Sequence, residues 1–137
     1  MPDGKKILII EDDKFLSQVL KGRLEKEGFT VLQAFDGEEG IAALKKELPS
    51  LVLLDIIMPK VSGFEILEQI SIDPQLQGVP VVVVSNLGQE SDLQKVERLG
   101  IKHYFVKVQV SIEDLVETIK NLMTKGFADG AQNSLPQ

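Results

Sequence analysis

Acidic side chains follow two uninterrupted apolar runs in this sequence. Asp55 comes directly after residues 51–54 (LVLL), and Glu11 and Asp12 come directly after residues 7–10 (ILII). Continuous apolar runs predict strands of a parallel sheet that are buried on both faces, and such sheets place their ligand sites at the carboxyl ends of the strands. If the two strands are neighbours, these carboxylates meet at one edge. Close carboxylates resist joint ionisation, so the cluster indicates a site for a divalent cation.

Two further polar residues end apolar runs later in the chain. Ser85 follows residues 79–84 (VPVVVV), and Lys107 follows residues 104–106 (YFV). Oxygen ligands suit Mg²⁺, Lys107 can pair with Asp55 at rest and with a phosphoryl oxygen later, and Ser85 can donate a hydrogen bond to that oxygen. The combination predicts phosphoryl transfer onto Asp55 as nucleophile, with Mg²⁺ and Lys107 neutralising the charge on the phosphoryl oxygens.

Strand and helix patterns alternate five times along the chain and supply a scaffold for these residues. The predicted strands are residues 6–10, 30–35, 51–54, 79–84 and 104–107, and the predicted helices cover residues 13–26, 37–47, about 64–70, 91–99, and a last one capped by Ser111. Right-handed crossovers then give an α/β, flavodoxin-like doubly wound (βα)5 fold with a five-stranded parallel sheet in the order 2-1-3-4-5. That order places the first and third strands side by side.

The domain prediction is one domain over residues 1–125, followed by a flexible tail over residues 126–137 and no output domain. The first helix is predicted to bury Phe15 together with Leu20 and Leu24, which recur at helical spacing. His103 is predicted to be a solvated surface residue. Tyr104 by itself is predicted to be a half-buried strand aromatic.

Composition excludes several functions. The chain has 137 residues, no cysteine and one histidine, which excludes disulfides, thiolate zinc sites and cysteine nucleophiles and leaves little for imidazole metal sites. A net charge of −6 argues against a nucleic-acid surface, because phosphate contacts need clustered Lys and Arg. No apolar stretch approaches the roughly 20 residues of a membrane helix. We therefore expect a cytoplasmic protein that acts away from membranes and nucleic acids.

With these motifs assembled, the chain resembles the receiver domains of bacterial two-component response regulators, in particular the stand-alone, chemotaxis-regulator-like ones. The resemblance covers about residues 5–125. It rests on four ordered motifs, which are Ile9-Ile10-Glu11-Asp12-Asp13, Asp55-Ile56-Ile57-Met58-Pro59 with a following Gly63, Val84-Ser85, and Tyr104-Phe105-Val106-Lys107.

The resemblance implies roles for individual residues. It implies that Asp55 accepts a phosphoryl group from a histidine kinase or a histidine phosphotransfer protein. It implies Mg²⁺ bound by Asp12, Asp55 and the carbonyl of Ile57, with Glu11 acting through water. It also implies that Ser85 and Tyr104 form a switch in which the hydroxyl moves toward the phosphoryl group and the ring follows inward.

The resemblance further implies a signalling output rather than enzymatic turnover. The face formed by the fourth helix, fifth strand and fifth helix would change its preference for an unknown downstream protein, with the chain a monomer or a phosphorylation-dependent dimer. Catalysis would be limited to the chain's own phosphorylation and slow dephosphorylation. Apolar Ile57 and Leu87 occupy the two positions that tune hydrolysis in this family, so we predict slow loss of the phosphoryl group.

The sequence departs from the family pattern at two places and leaves rival functions open. Val108 follows Lys107 where a proline is usual, and Asn86 follows Ser85 where a small residue is common. One alternative is a degenerate receiver that binds proteins without phosphorylation. A phosphohydrolase would need a second Asp at position 57, and a flavin- or nucleotide-binding module would need a Gly- or Ser/Thr-rich phosphate cradle after the first strand.

Overall fold

The structure is a computed structural model that describes residues 5–86 and 90–125. Its strands are β1 (Lys6–Ile10), β2 (Thr30–Ala34), β3 (Leu51–Leu54), β4 (Val81–Ser85) and β5 (His103–Val106). Its helices are α1 (Lys14–Lys26), α2 (Gly37–Glu47), α3 (Gly63–Ile72), α4 (Glu90–Arg98) and α5 (Ile112–Lys125). Within residues 5–86 and 90–125, no helix has both the length and the apolar character needed to cross a membrane.

The five strands form one parallel sheet in the order β2-β1-β3-β4-β5, so the predicted fold class and strand order are confirmed. Alternate residues of β1 enter different cores. Ile7 and Ile9 pack on the side covered by α1 and α5, and Leu8 and Ile10 pack on the side covered by α2, α3 and α4. Because both faces are buried, the central strands are apolar without interruption.

The observed N-terminal caps of α1 and α5 lie within one residue of the positions predicted from the sequence. Asp13, predicted as the first residue of the first helix, is instead its N-cap, and its Oδ1 accepts a hydrogen bond of 3.1 Å from the backbone N–H of Leu16. Ser111 caps α5 as predicted, because its Oγ accepts from the N–H of Asp114 at 3.0 Å. The last two strands begin elsewhere than predicted, β4 at Val81 and β5 at His103.

The burial predictions for Phe15 and His103 are wrong. Phe15 is 80% exposed, because it lies about 200° around α1 from the buried Ser17 and so faces away from the sheet. His103 is only 8% exposed. It is the first residue of β5 rather than part of a loop, and strand alternation places it on the same face as Phe105.

Candidate functional site

Backbone hydrogen bonds at the carboxyl edge of the sheet fix the positions of the polar residues. The N–H of Glu11 donates to the carbonyl of Ala34 at 3.0 Å, and the N–H of Asp55 donates to the carbonyl of Ile10 at 2.9 Å. The N–H of Lys107 donates to the carbonyl of Ser85 at 3.0 Å. Each residue therefore continues the ladder of its strand by one position, and the side chains start from neighbouring points on one edge.

The Asp55 carboxylate lies at the centre of this edge and is only 4% exposed. Its Oδ1 accepts hydrogen bonds from the Ser85 hydroxyl at 2.7 Å and from the backbone N–H of Ile57 at 3.1 Å. Its Oδ2 accepts from the Lys107 ammonium at 3.0 Å. Three donors therefore hold the Asp55 carboxylate in place, and a carboxylate oxygen of this kind can act as a nucleophile.

Lys107 bridges two buried acids. Its Nζ lies 3.0 Å from Asp55 Oδ2 and 2.8 Å from Glu11 Oε1. Burial by itself would lower the pKa of Lys107, but the hydrogen bonds to Glu11 and Asp55 outweigh it and raise that pKa. The lysine therefore stays charged.

Glu11 is the least favourably placed acid of the site. The pKa of Glu11 is raised from 4.5 to about 7, chiefly by burial and also by the charge of nearby Asp55, and hydrogen bonds from Lys107 and from the N–H of Asp13 limit this rise. One lysine therefore does not neutralise all the acids of the site. A further cation bound there would stabilise their ionised forms.

The acids are close enough to share a cation. Glu11, Asp12 and Asp55 each offer a carboxylate oxygen, and these oxygens lie within 4.8 Å of one another. Asp12 is exposed, whereas the other two are buried, so the group opens to solvent on one side. Oxygen donors only, with room for retained water, are the ligand set that suits Mg²⁺. The residues present fit that ion.

The remaining predicted residues lie around this centre. Tyr104 is 2% exposed rather than half-buried, and it belongs to the same core as Val96 of α4. Ile57 is 59% exposed, and its use of a carbonyl as a metal ligand stays a prediction. The switch roles of Ser85 and Tyr104 also stay predictions. Leu87 lies outside the described residues.

Residue types alone did not identify three contacts of the site. The backbone N–H of Ile57 on Asp55 is invisible to a search for functional side chains. The pairing of Lys107 with Glu11 as well as Asp55 depends on the register of β1 against β3. The third contact joins the two departures from the family pattern, since the Oδ1 of Asn86 accepts a hydrogen bond of 3.2 Å from the N–H of Val108.

Comparisons with known proteins identify the family. The model of the response regulator receiver domain matches residues 7–120. Protein PilH of Pseudomonas aeruginosa is 36% identical over 118 residues, which are 86% of this chain and 97% of that protein. Fold and sequence together show that the chain belongs to the response regulator receiver family.

Solved structures agree with this assignment. The CheY-like receiver domain protein of Methanospirillum hungatei JF-1 has a TM-score of 0.80 and 30% identity, over 88% of this chain and 94% of that one. The phosphorylated cyanobacterial phytochrome response regulator RcpA has a TM-score of 0.79 and 29% identity, over 90% and 96% of the two chains. Receiver domains are signalling domains of two-component systems, so the predicted family is confirmed.

Proposed function

We propose that the chain is a cytoplasmic receiver domain that accepts a phosphoryl group on Asp55 in a Mg²⁺-dependent reaction. The donor is a histidine kinase or a histidine phosphotransfer protein. The observation that carries the proposal is the environment of Asp55, whose two carboxylate oxygens contact Ser85, Lys107 and the Ile57 N–H while acids on β1 lie close by. RcpA, a relative of the same fold, is described in its phosphorylated form.

The transfer needs no general base. An ionised oxygen of Asp55 forms a bond to phosphorus, the bond from phosphorus to the donor's histidine nitrogen breaks, and the electron pair of that bond returns to the nitrogen. The Lys107 Nζ, which lies 3.0 Å from Asp55 Oδ2, then pairs with the negatively charged phosphoryl oxygens. The Ser85 hydroxyl transfers its hydrogen bond from Asp55 to a phosphoryl oxygen. Glu11, Asp12 and Asp55 would hold Mg²⁺, which would supply further positive charge to neutralise the phosphoryl group.

Signal output in this proposal begins at Ser85 and Tyr104. The two residues sit on adjacent strands, with Val83 paired to Tyr104 and Ser85 paired to Val106. Tyr104 already lies inside the core, so phosphorylation would stabilise this inward position as Ser85 turns to the phosphoryl group. The face made by α4, β5 and α5 then changes its affinity for a downstream protein or for a second copy of the chain.

Loss of the phosphoryl group is proposed to be slow. Ile57 stands two residues after Asp55 and its side chain is exposed at the mouth of the site, but it carries no group that can orient an attacking water. The same position argues against a phosphohydrolase, which would need an acid there. Measured decay of the phosphorylated protein within seconds would contradict the proposal.

Intact mass after incubation with acetyl phosphate and Mg²⁺ tests the proposal. We expect one added phosphoryl group on the wild type and none on Asp55→Asn, which keeps the shape of the side chain. Asp114→Asn, in the first turn of α5, is the matched control and should be phosphorylated normally. A folded wild type that takes no phosphoryl group would favour the protein-binding scaffold, and continuous phosphate release would favour a hydrolase.

A further inference from the structure

The loop after β5 is held to the end of β4 by two successive hydrogen bonds. The N–H of Lys107 donates to the carbonyl of Ser85 at 3.0 Å, and the N–H of Val108 donates to the side chain of Asn86 at 3.2 Å. The first bond continues the parallel ladder by one position. The second is made to a side-chain oxygen, so the backbone is held on both sides of the Lys107 α-carbon.

Beyond Val108 the chain turns away from the sheet. The N–H groups of Gln109 and Val110 both donate to the carbonyl of Val106, at 2.9 and 3.1 Å, which closes a tight turn that begins on β5. The Asn86 side chain therefore ties the start of this turn to the end of β4. The Val108 side chain is 80% exposed and contributes no burial, so its part in the contact is its backbone N–H alone. A proline at position 108 would lack that donor.

We propose that Asn86 is a positioning residue for phosphoryl transfer, acting through the Val108 N–H to hold the backbone from which Lys107 reaches Asp55 and Glu11. A lysine side chain has four rotatable bonds, and fixing its backbone on both sides reduces the conformations in which the ammonium leaves the carboxylates. The Asn86 side chain contacts the backbone of the loop at Val108. It acts on the reaction through the loop, so its kinetic consequence rests on the proposed function.

The order of the Lys107 ammonium tests this positioning without any phosphoryl transfer. Its nitrogen-15 signal, assigned by its loss in Lys107→Met, should report a well-held ammonium in the wild type and a more mobile one in Asn86→Ala. Asn86→Asp keeps an acceptor oxygen and should retain the ordered signal. Val108→Ala keeps the N–H and is the matched control, which should behave as the wild type. An unchanged signal in Asn86→Ala would overturn the inference.

The kinetic consequence is tested with acetyl phosphate and Mg²⁺. We expect phosphorylation of Asn86→Ala to be about three- to tenfold slower, the size of effect of one exposed hydrogen bond, with unchanged Mg²⁺ affinity. In a Lys107→Met background the same substitution should have no further effect. An equal slowing in that background would show that Asn86 does not act through Lys107. A wild type that is never phosphorylated refutes the proposed function instead, while the ammonium signal still decides the role of Asn86.

Discussion

The ionisable groups at the two ends of β5, a half-buried lysine and a buried histidine, have opposite surroundings. Lys107, just past the carboxyl end, contacts carboxylate oxygens of Asp55 and Glu11. His103, at the amino end, is 92% buried, and its Nδ1 has no hydrogen-bond partner in the described part of the chain. Burial and the charge of adjacent Lys102 lower the pKa of His103, whereas the pKa of Lys107 is raised. Burial alone therefore does not decide whether a group keeps its charge, because the partners decide it.

The largest effect is expected at the charged end of β5. Lys107→Met removes the ammonium that neutralises charge on the phosphoryl oxygens. We therefore expect phosphorylation by acetyl phosphate to slow by about 10²- to 10³-fold, as for loss of one preorganised donor. Lys120→Met, which removes a lysine paired with Glu27 on the surface, is the control and should keep the wild-type rate. A Lys107→Met rate close to that of the wild type would remove Lys107 from the reaction.

The acid beside Lys107 gives a pH dependence of intermediate size. The pKa of Glu11 is about 7 in the native state and about 4.5 when unfolded, so the native state keeps a proton that the unfolded state has lost. The free energy of unfolding contributed by this group is therefore fully present below pH 4.5 and declines as pH rises toward 7, by at most about 1.4 kcal/mol per pH unit. Urea unfolding of metal-free protein should show this decline.

The control for that prediction is Glu11→Gln, which keeps an oxygen for Lys107 but cannot titrate. It should lack the decline, and an equal decline in both proteins would assign the titration to another group. Binding of Mg²⁺ favours the ionised Glu11, so Mg²⁺ affinity should increase with pH until about pH 7 and then level off.

The smallest effect is expected at the uncharged end of β5. The lowered pKa of His103 means that the unfolded state binds a proton first as pH falls, so its contribution to stability is present above pH 6.5 and is lost at lower pH, opposite in sign to that of Glu11. His103→Phe removes the only histidine and its unpaired nitrogen, and should raise the free energy of unfolding by about 1 kcal/mol. Making the Glu11 measurements in this background separates the two titrations.

A His103→Phe protein that is less stable than the wild type at pH 7 would show that the imidazole is well satisfied. In that case the conclusion that His103 lacks a partner would be wrong, and the conclusion for Lys107 would be unaffected.

The sequence predicted the parts of the fold that depend on pattern. Unbroken apolar runs such as residues 7–10 and 51–54 indicate strands buried on both faces, and their alternation with helices allows few topologies. The predictions for Phe15 and His103 failed for a different reason. Which side of a helix meets the sheet, and at which residue a strand begins, depends on packing that no local pattern records.

By itself, the sequence determined which strands carry Glu11, Asp55, Ser85 and Lys107 at their ends, because each polar residue interrupts an apolar run. Only the tertiary structure decided how these groups pair. Lys107 contacts both acids, Ile57 contributes a backbone N–H, and Asn86 reaches across to Val108 because the register of neighbouring strands sets those distances. Hydrogen bonds extend over about 3 Å, and positions at that scale come from the packed sheet rather than from the order of residues.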